Sequence, residues 1–177
     1  TALINMEVAP ETEMTVKITG FQWRWKYEYV EDGIQFISSL DAASNAVRRP
    51  QSGIQPDTVE NYLLDVDKPL VLPANTKIKF LITADDVIHS WWVPALGWKR
   101  DAVPGFINEA WTEILEPGTY RGQCAELCGK DHGFMPIVLK VLPRAEYDQW
   151  VKDQKRLMAH DEAEVERLWS REELMDL

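Results

Sequence analysis

Between positions 124 and 135 the chain reads CAELCGKDHGFM, which sets two thiols (Cys124, Cys128), a carboxylate (Glu126), an imidazole (His132) and a thioether (Met135) in one short stretch. No other cysteine occurs in the chain. Three chemistries compete for these residues. In an oxidising compartment two nearby cysteines commonly pair as a disulfide. Cys and His also suit zinc, although structural zinc sites favour a tighter Cys-x-x-Cys knuckle and do not use thioether sulfur. Copper accounts for more of the residue types, because thiolate and thioether are soft donors and a His/Cys/Met set on a β-scaffold is a copper-site pattern. One cysteine suffices for a mononuclear site of that kind. A second thiolate in the same loop can bridge two copper ions and spread the charge of an added electron. On spacing alone all three readings stay open.

Two bridged metals need a terminal ligand each, so one histidine in the loop is too few. The chain has three histidines. His160 sits in a charged helical stretch, which leaves His89, in DDVIHSWWVP, as the second supplier. A lone histidine beside aromatics is more often a packed residue than a ligand; its weight here comes from the company of the loop.

The elements that must hold these groups are legible from periodicity. From Thr15 to Tyr29 apolar residues alternate, with a phase shift at Gly20, which predicts one strand with a glycine bulge. In this stretch Trp25, Tyr27 and Tyr29 read as sheet core. Residues 45–61 carry Pro50, Gly53 and Pro56 among polar residues and predict a long loop. A strand block follows from Pro69 to Thr83, with His89 at its edge. Shorter strands are expected near Trp111 to Ile114, Thr119 to Gln123 and Ile137 to Leu142, between Pro and Gly turns. Such a run of short strands implies a β-sandwich or barrel. After Pro143 the spacing turns helical: Tyr147, Trp150, Val151, Gln154, Leu157 and Met158 share a face. Ser170 to Glu173 has the form of a capping box and predicts a second, short helix. The expected division is a β domain over residues 1–142 and a helical extension over 143–177.

Lys+Arg 19 against Asp+Glu 29 gives a formal charge of -10. That field disfavours nucleic acid and attracts a cationic protein partner. No run approaches the roughly 18 apolar residues needed to cross a bilayer, so the chain reads as soluble. It starts without Met, as a processed product or an excised part of a longer protein would.

Three stretches taken together, GFQWRWKYEY, VIHSWWVPALGWKRDAVPG and GQCAELCGKDHGFMPI, resemble the copper domain of the cytochrome c oxidase subunit II family over about Glu13 to Leu142. The resemblance implies a mainly β, cupredoxin-like Greek-key sandwich with a C-terminal helical extension. It further implies a binuclear CuA centre, two coppers bridged by Cys124 and Cys128. His89 and Met135 would complete one copper, and His132 with the backbone carbonyl of Glu126 the other. By the same resemblance Glu126 turns its side chain toward a magnesium ion shared with subunit I, Trp23 is the electron entry point, and Asp67, Asp85 and Asp86 dock cytochrome c. The implied role is electron transfer from cytochrome c to haem in subunit I, where oxygen is reduced. The implied place is the periplasmic face of the bacterial inner membrane or the equivalent intermembrane-space face in mitochondria, with membrane anchoring through parts not in this chain. Where the family carries Pro-Gly-Arg, this chain has Pro104-Gly105-Phe106. Rival readings are the copper domain of nitrous oxide reductase, a quinol oxidase subunit without the ligands, a one-copper delivery protein and a disulfide-closed binding module.

Overall fold

The computed structural model describes residues 11–172. Ten strands form two five-stranded mixed sheets that pack face to face. The first sheet runs β3 (Ile34–Ser38), β2 (Arg24–Tyr29), β1 (Met14–Phe21), β5 (Lys77–Ala84) and β8 (Asn108–Glu113). The second runs β4 (Leu70–Pro73), β10 (Pro136–Leu142), β9 (Gly118–Cys124), β6 (His89–Trp92) and β7 (Lys99–Ala102). The β1/β5 and β4/β10 pairs are parallel and the others antiparallel. This is a cupredoxin-like sandwich.

Alternation drives the packing. Along β5, Ile78, Phe80 and Ile82 are fully buried while the intervening Lys77, Lys79 and Leu81 lie at the margin. Burying each such side chain contributes about 1.5–3 kcal/mol. The second sheet answers with Leu70, Leu72, Trp91, Ile137, Leu139 and Val141. Strand β2 contributes the stripe Trp25, Tyr27 and Tyr29, which is core as expected. Each ring also reaches across the sandwich with its polar tip. Tyr29 Oη donates to the Val71 carbonyl at 2.8 Å and accepts from the Val71 amide at 3.0 Å. Tyr27 Oη accepts from Trp91 Nε1 at 3.4 Å, and Trp25 Nε1 donates to the Met135 carbonyl at 3.4 Å. Buried aromatic polar groups need such partners.

Several expected elements are corrected. The stretch from Thr15 to Tyr29 is not one bulged strand but the β1/β2 hairpin, in which Val16 faces Tyr29 and Phe21 faces Arg24. The phase shift at Gly20 belongs to the approach to a turn at Gln22 and Trp23. Residues 45–61 are not wholly loop, because α1 (Ala42–Val47) enters them and Pro56–Thr58 forms a 3₁₀ turn. Asp41 starts α1 by accepting from the amides of Ala43 and Ser44. The block from Pro69 to Thr83 is split by a turn at Asn75 into β4 and β5, which lie in different sheets. His89 is not at the edge of that block; it opens β6, a strand of its own. Strands β3, β6 and β7 were not anticipated by the alternation, being short or mixed in character.

The helical extension is α2 (Arg144–Glu172). Tyr147 is buried, and Trp150 packs on Tyr29 with ring centroids 5.2 Å apart. Lys155 pairs with Asp32 at 2.7 Å. The helix is continuous through Ser170, where a second helix was expected to begin; the remainder of that expectation, from Glu173, lies outside the described residues. Among the described residues no helix is long and apolar enough to cross a membrane.

Candidate metal centre

Strand pairing is what brings the distant histidine to the cysteine loop. Strands β6 and β9 are antiparallel neighbours with Trp91 opposite Cys124, so His89, two residues before Trp91, lies beside the point where β9 gives way to the loop. Ala125 donates to the Ser90 carbonyl at 2.9 Å, extending that pairing. The close approach depends on Gly122, where a Cβ would run into the Trp92 carbonyl oxygen and lie 2.8 Å from Val93 Cα. On the other side, β10 starts at Pro136 opposite Gln123, so the loop leaves and re-enters the same sheet on adjacent strands.

Within this frame the donor atoms converge. Cys124 Sγ and Cys128 Sγ are 3.9 Å apart, and both cysteines are free. A disulfide has its sulfurs about 2.05 Å apart, so the disulfide reading has no support in this geometry. His89 Nδ1 lies 4.0 Å from Cys124 Sγ. His132 Nδ1 lies 3.5 Å from Cys128 Sγ. Met135 Sδ is 3.6 Å from Cys128 Sγ, and the Glu126 carbonyl oxygen is 3.4 Å from Cys124 Sγ. The donor atoms of His89, Cys124 and Cys128 all lie within 4.8 Å of one another. His89, Cys124, Cys128 and Met135 are buried; His132 is half-buried.

Neighbouring residues orient these donors. Asp86 Oδ1 lies 2.9 Å from His89 Nε2. With the Nε2 proton held by that carboxylate, the Nδ1 lone pair is left facing the sulfurs, as an orienting carboxylate does for a metal-ligating histidine. Asp86 is fixed in turn by the amides of Gln22 and Val87, at 2.7 and 2.6 Å. The His89 ring fits against Trp25, edge to face at 5.9 Å, because Gly20 has no side chain: a Cβ there would lie 2.9 Å from Trp25 and 3.0 Å from His89. Gln22 Nε2 and Trp23 Nε1 both donate to the Cys128 carbonyl, at 2.9 and 3.1 Å. Gln22 and Trp25 carry no sequence signal for this role; only the folded hairpin aims them at the loop.

The electrostatics favour a cation. Burial opposes ionisation of Cys124, but hydrogen bonds with His89, the Ser90 and Glu126 backbone and Cys128 outweigh it and lower the thiol's pKa. Burial and the charge of that first thiolate push Cys128 up to about 12. The pair therefore gives up one proton readily and holds the second, as coupled sites do. The donors are two thiols, a thioether and two imidazoles, a soft set that fits copper; zinc would leave the thioether without a purpose. The cluster is consistent with copper binding.

The sequence profile of the family described as cytochrome c oxidase subunit II, periplasmic domain, matches residues 14–142. The chain belongs to that family. The subunit II domain is 44% identical over 161 residues to the probable cytochrome c oxidase subunit 2 of Rickettsia bellii, covering 90% of this chain and 56% of that protein. It is 38% identical over 161 residues to cytochrome c oxidase subunit 2 of Cereibacter sphaeroides, covering 86% of this chain and 53% of that one. The chain thus spans about half the length of these curated relatives. Among solved structures, the periplasmic domain of subunit II of cytochrome oxidase (CoxB) of Bradyrhizobium japonicum superposes with a TM-score of 0.71 at 38% identity, covering 84% of this chain and 98% of that one.

The remaining candidates of the subunit II domain fall into two groups. Trp23 is half-buried against the loop, with Lys130 Nζ 5.7 Å from its ring centroid, and Glu126 and Asp85 are exposed. Asp86 and Asp67 have structural work of their own: Asp86 holds His89 and the β1/β2 turn, and Asp67 Oδ1 accepts from the Ser39 amide at 2.7 Å. Phe106 is 69% exposed.

A pH dependence follows for the metal-free domain. Burial works against charge on both Asp86 and His89, yet hydrogen bonds from His89 and the amides of Gln22 and Val87 leave Asp86 below its usual 3.8, and those with Cys124 and then Asp86 leave His89 above its usual 6.5. A depressed carboxyl stabilises the fold above pH 3.8 and loses that contribution as pH falls through its folded value. A raised imidazole stabilises it below pH 6.5 and loses that contribution as pH rises through its folded value. The metal-free protein is therefore expected to melt highest between about pH 3.8 and 6.5 as far as this pair contributes. In Asp86→Asn the loss of stability at low pH should flatten while the part of the high-pH loss that Cys124 sustains stays, which thermal denaturation across the range would register.

Proposed function

We propose that the domain is the electron-accepting module of a haem-copper cytochrome c oxidase, receiving electrons from cytochrome c and passing them to haem in subunit I. The observation that carries this reading is the pair of buried thiols 3.9 Å apart with an imidazole Nδ1 at each end. In this reading Cys124 and Cys128 would be shared by two coppers, with His89 and Met135 serving one and His132 and the Glu126 carbonyl the other. Two bridged coppers sharing an electron would supply a one-electron couple.

The chain's own residues do the rest. The buried cysteines and Met135 exclude water from the donors, and Asp86 and Trp25 keep the His89 ring in one orientation. Trp23 links the outside to the loop: its ring is partly exposed, and its N–H bonds directly to the Cys128 carbonyl. That contact supports Trp23 as the place where an electron enters. The overall charge of -10, with Asp85 exposed beside the His89 strand, supports steering of a basic cytochrome c. Asp67 and Asp86 add to the same field while serving their structural bonds. The exposed Glu126 carboxylate is a suitable hard ligand for magnesium shared with subunit I. The assigned place is the periplasmic face of the inner membrane, or its mitochondrial equivalent.

Copper titration of the reduced protein tests the reading. Two equivalents should bind per chain with an intense thiolate-to-copper colour, whereas a delivery protein would take one and a structural module none. Trp23→Phe keeps an aromatic ring, smaller than the indole, and removes the N–H. It should leave the copper spectrum unchanged and slow reduction by cytochrome c in stopped-flow mixing; reduction at the normal rate would remove Trp23 from the entry route.

A further inference from the structure

The loop between Cys128 and Met135 carries His132 on a short 3₁₀ turn, His132–Phe134. Its internal bonds are local: His132 donates to the Gly129 carbonyl and Phe134 to the Asp131 carbonyl. A tie from the start of this turn to a different element comes from Arg48. Its Nη2 donates to Asp131 Oδ1 at 2.6 Å, and its guanidinium carbon lies 4.1 Å from the centre of the Phe134 ring. One side chain thus grips the residue before His132 and the residue before Met135. The two contacts use different properties of the group, a charged donor toward the carboxylate and a flat face toward the ring.

Arg48 is itself held. It caps the C-terminus of α1, the helix that Asp41 starts. Ser44 in that helix is fully buried, and its hydroxyl accepts from the Leu63 amide at 3.1 Å, while Asp41 donates from its own amide to the Asp65 carbonyl at 3.2 Å. The cluster of ligand candidates is therefore clamped from two sides: by Gln22 and Trp23 on the Cys128 carbonyl, and by Arg48 on the turn that follows. We propose that Arg48 is a positioning residue that fixes His132 for the metal, acting through Asp131 and Phe134. This rests on the copper reading given above. It explains why a six-residue helix stands in an otherwise irregular segment beside the loop.

The test compares the copper-loaded wild type with Arg48→Ala, Arg48→Lys and Asp131→Asn, with Phe134→Leu as a further variant that leaves the ion pair intact. Copper release to a chelator and the histidine nitrogen couplings in electron-nuclear double resonance are read alongside thermal melting. Loss of an orienting partner of a ligand typically costs 10–100-fold in metal affinity. Arg48→Ala and Asp131→Asn should each release copper about tenfold faster or more and alter the His132 coupling, with little change in melting of the metal-free protein. The Arg48→Ala/Asp131→Asn double variant should be no worse than Arg48→Ala alone, as for partners in one contact. Arg48→Lys should recover part of the loss, because it restores the charge and not the flat face. In the metal-free protein, amide exchange at His132 and Phe134 should also quicken in Arg48→Ala. Wild-type release rates and couplings in Arg48→Ala, or in Asp131→Asn should the former fail to fold, would overturn the proposal while leaving the copper reading intact. A wild type that binds no copper would overturn both.

Discussion

Cys128→Ser is expected to abolish the two-copper centre while leaving the sandwich folded. Cys128 Sγ is the hub of the cluster, within 3.9 Å of Cys124 Sγ, 3.6 Å of Met135 Sδ and 3.5 Å of His132 Nδ1. A hydroxyl is hard and weakly acidic, so it replaces neither the softness nor the negative charge of a bridging thiolate. What remains is Cys124 with His89, His132, Met135 and the Glu126 carbonyl, a set without the second thiolate and so for one copper at most. Copper content should fall from two to one or fewer per chain, and the thiolate colour should change character. The cost to the metal-free fold is that of burying a hydroxyl in place of a thiol, about 1–3 kcal/mol, within the margin of a typical domain of about 5–15 kcal/mol. Circular dichroism of the metal-free variant should be native, which separates loss of metal from loss of fold.

Gly122→Ala should act in the opposite order, on the frame first and the donors second. The atoms a Cβ would meet there are backbone: the Trp92 carbonyl group, with its carbon 2.9 Å away, and Val93 Cα at 2.8 Å. No side-chain rotation relieves such a contact, so β6 and β9 must separate at the Trp92/Gln123 end of their pairing. Overpacking of this kind costs about 3 kcal/mol or somewhat more. For a domain of this size that lowers the melting temperature by about 6–12 °C. Because β6 carries His89 and β9 carries Cys124, copper affinity should fall as well, although no donor has been changed. An unaltered melting temperature would mean that the β6/β9 approach is looser than described.

The two variants mark what could be read from sequence and what could not. Cys124, Cys128, His132 and Met135 were legible because one loop holds them and their types agree on a soft metal. His89 was legible only through the scarcity of histidines and the resemblance; its own strand, β6, is four residues long and carries no clear alternation. The β1/β2 turn was missed because Gln22 and Trp23 are not turn formers by type. The turn is held instead by Asp86, 64 residues away. Likewise α1 hid inside a segment rich in proline and glycine, and the reach of Arg48 to Asp131 spans 83 residues. Local pattern reveals elements and clustered donors, whereas the groups that orient those donors arrive through tertiary contacts. The acidic residues illustrate the same limit: Asp67 and Asp86 read as docking charges, and both turn out to make specific backbone bonds.

Electron paramagnetic resonance with copper quantitation, on the copper-reconstituted protein, tests the central claim most directly. A seven-line hyperfine pattern at two coppers per chain, from one electron shared over both metals, is the predicted result. A four-line pattern at one copper per chain would contradict it.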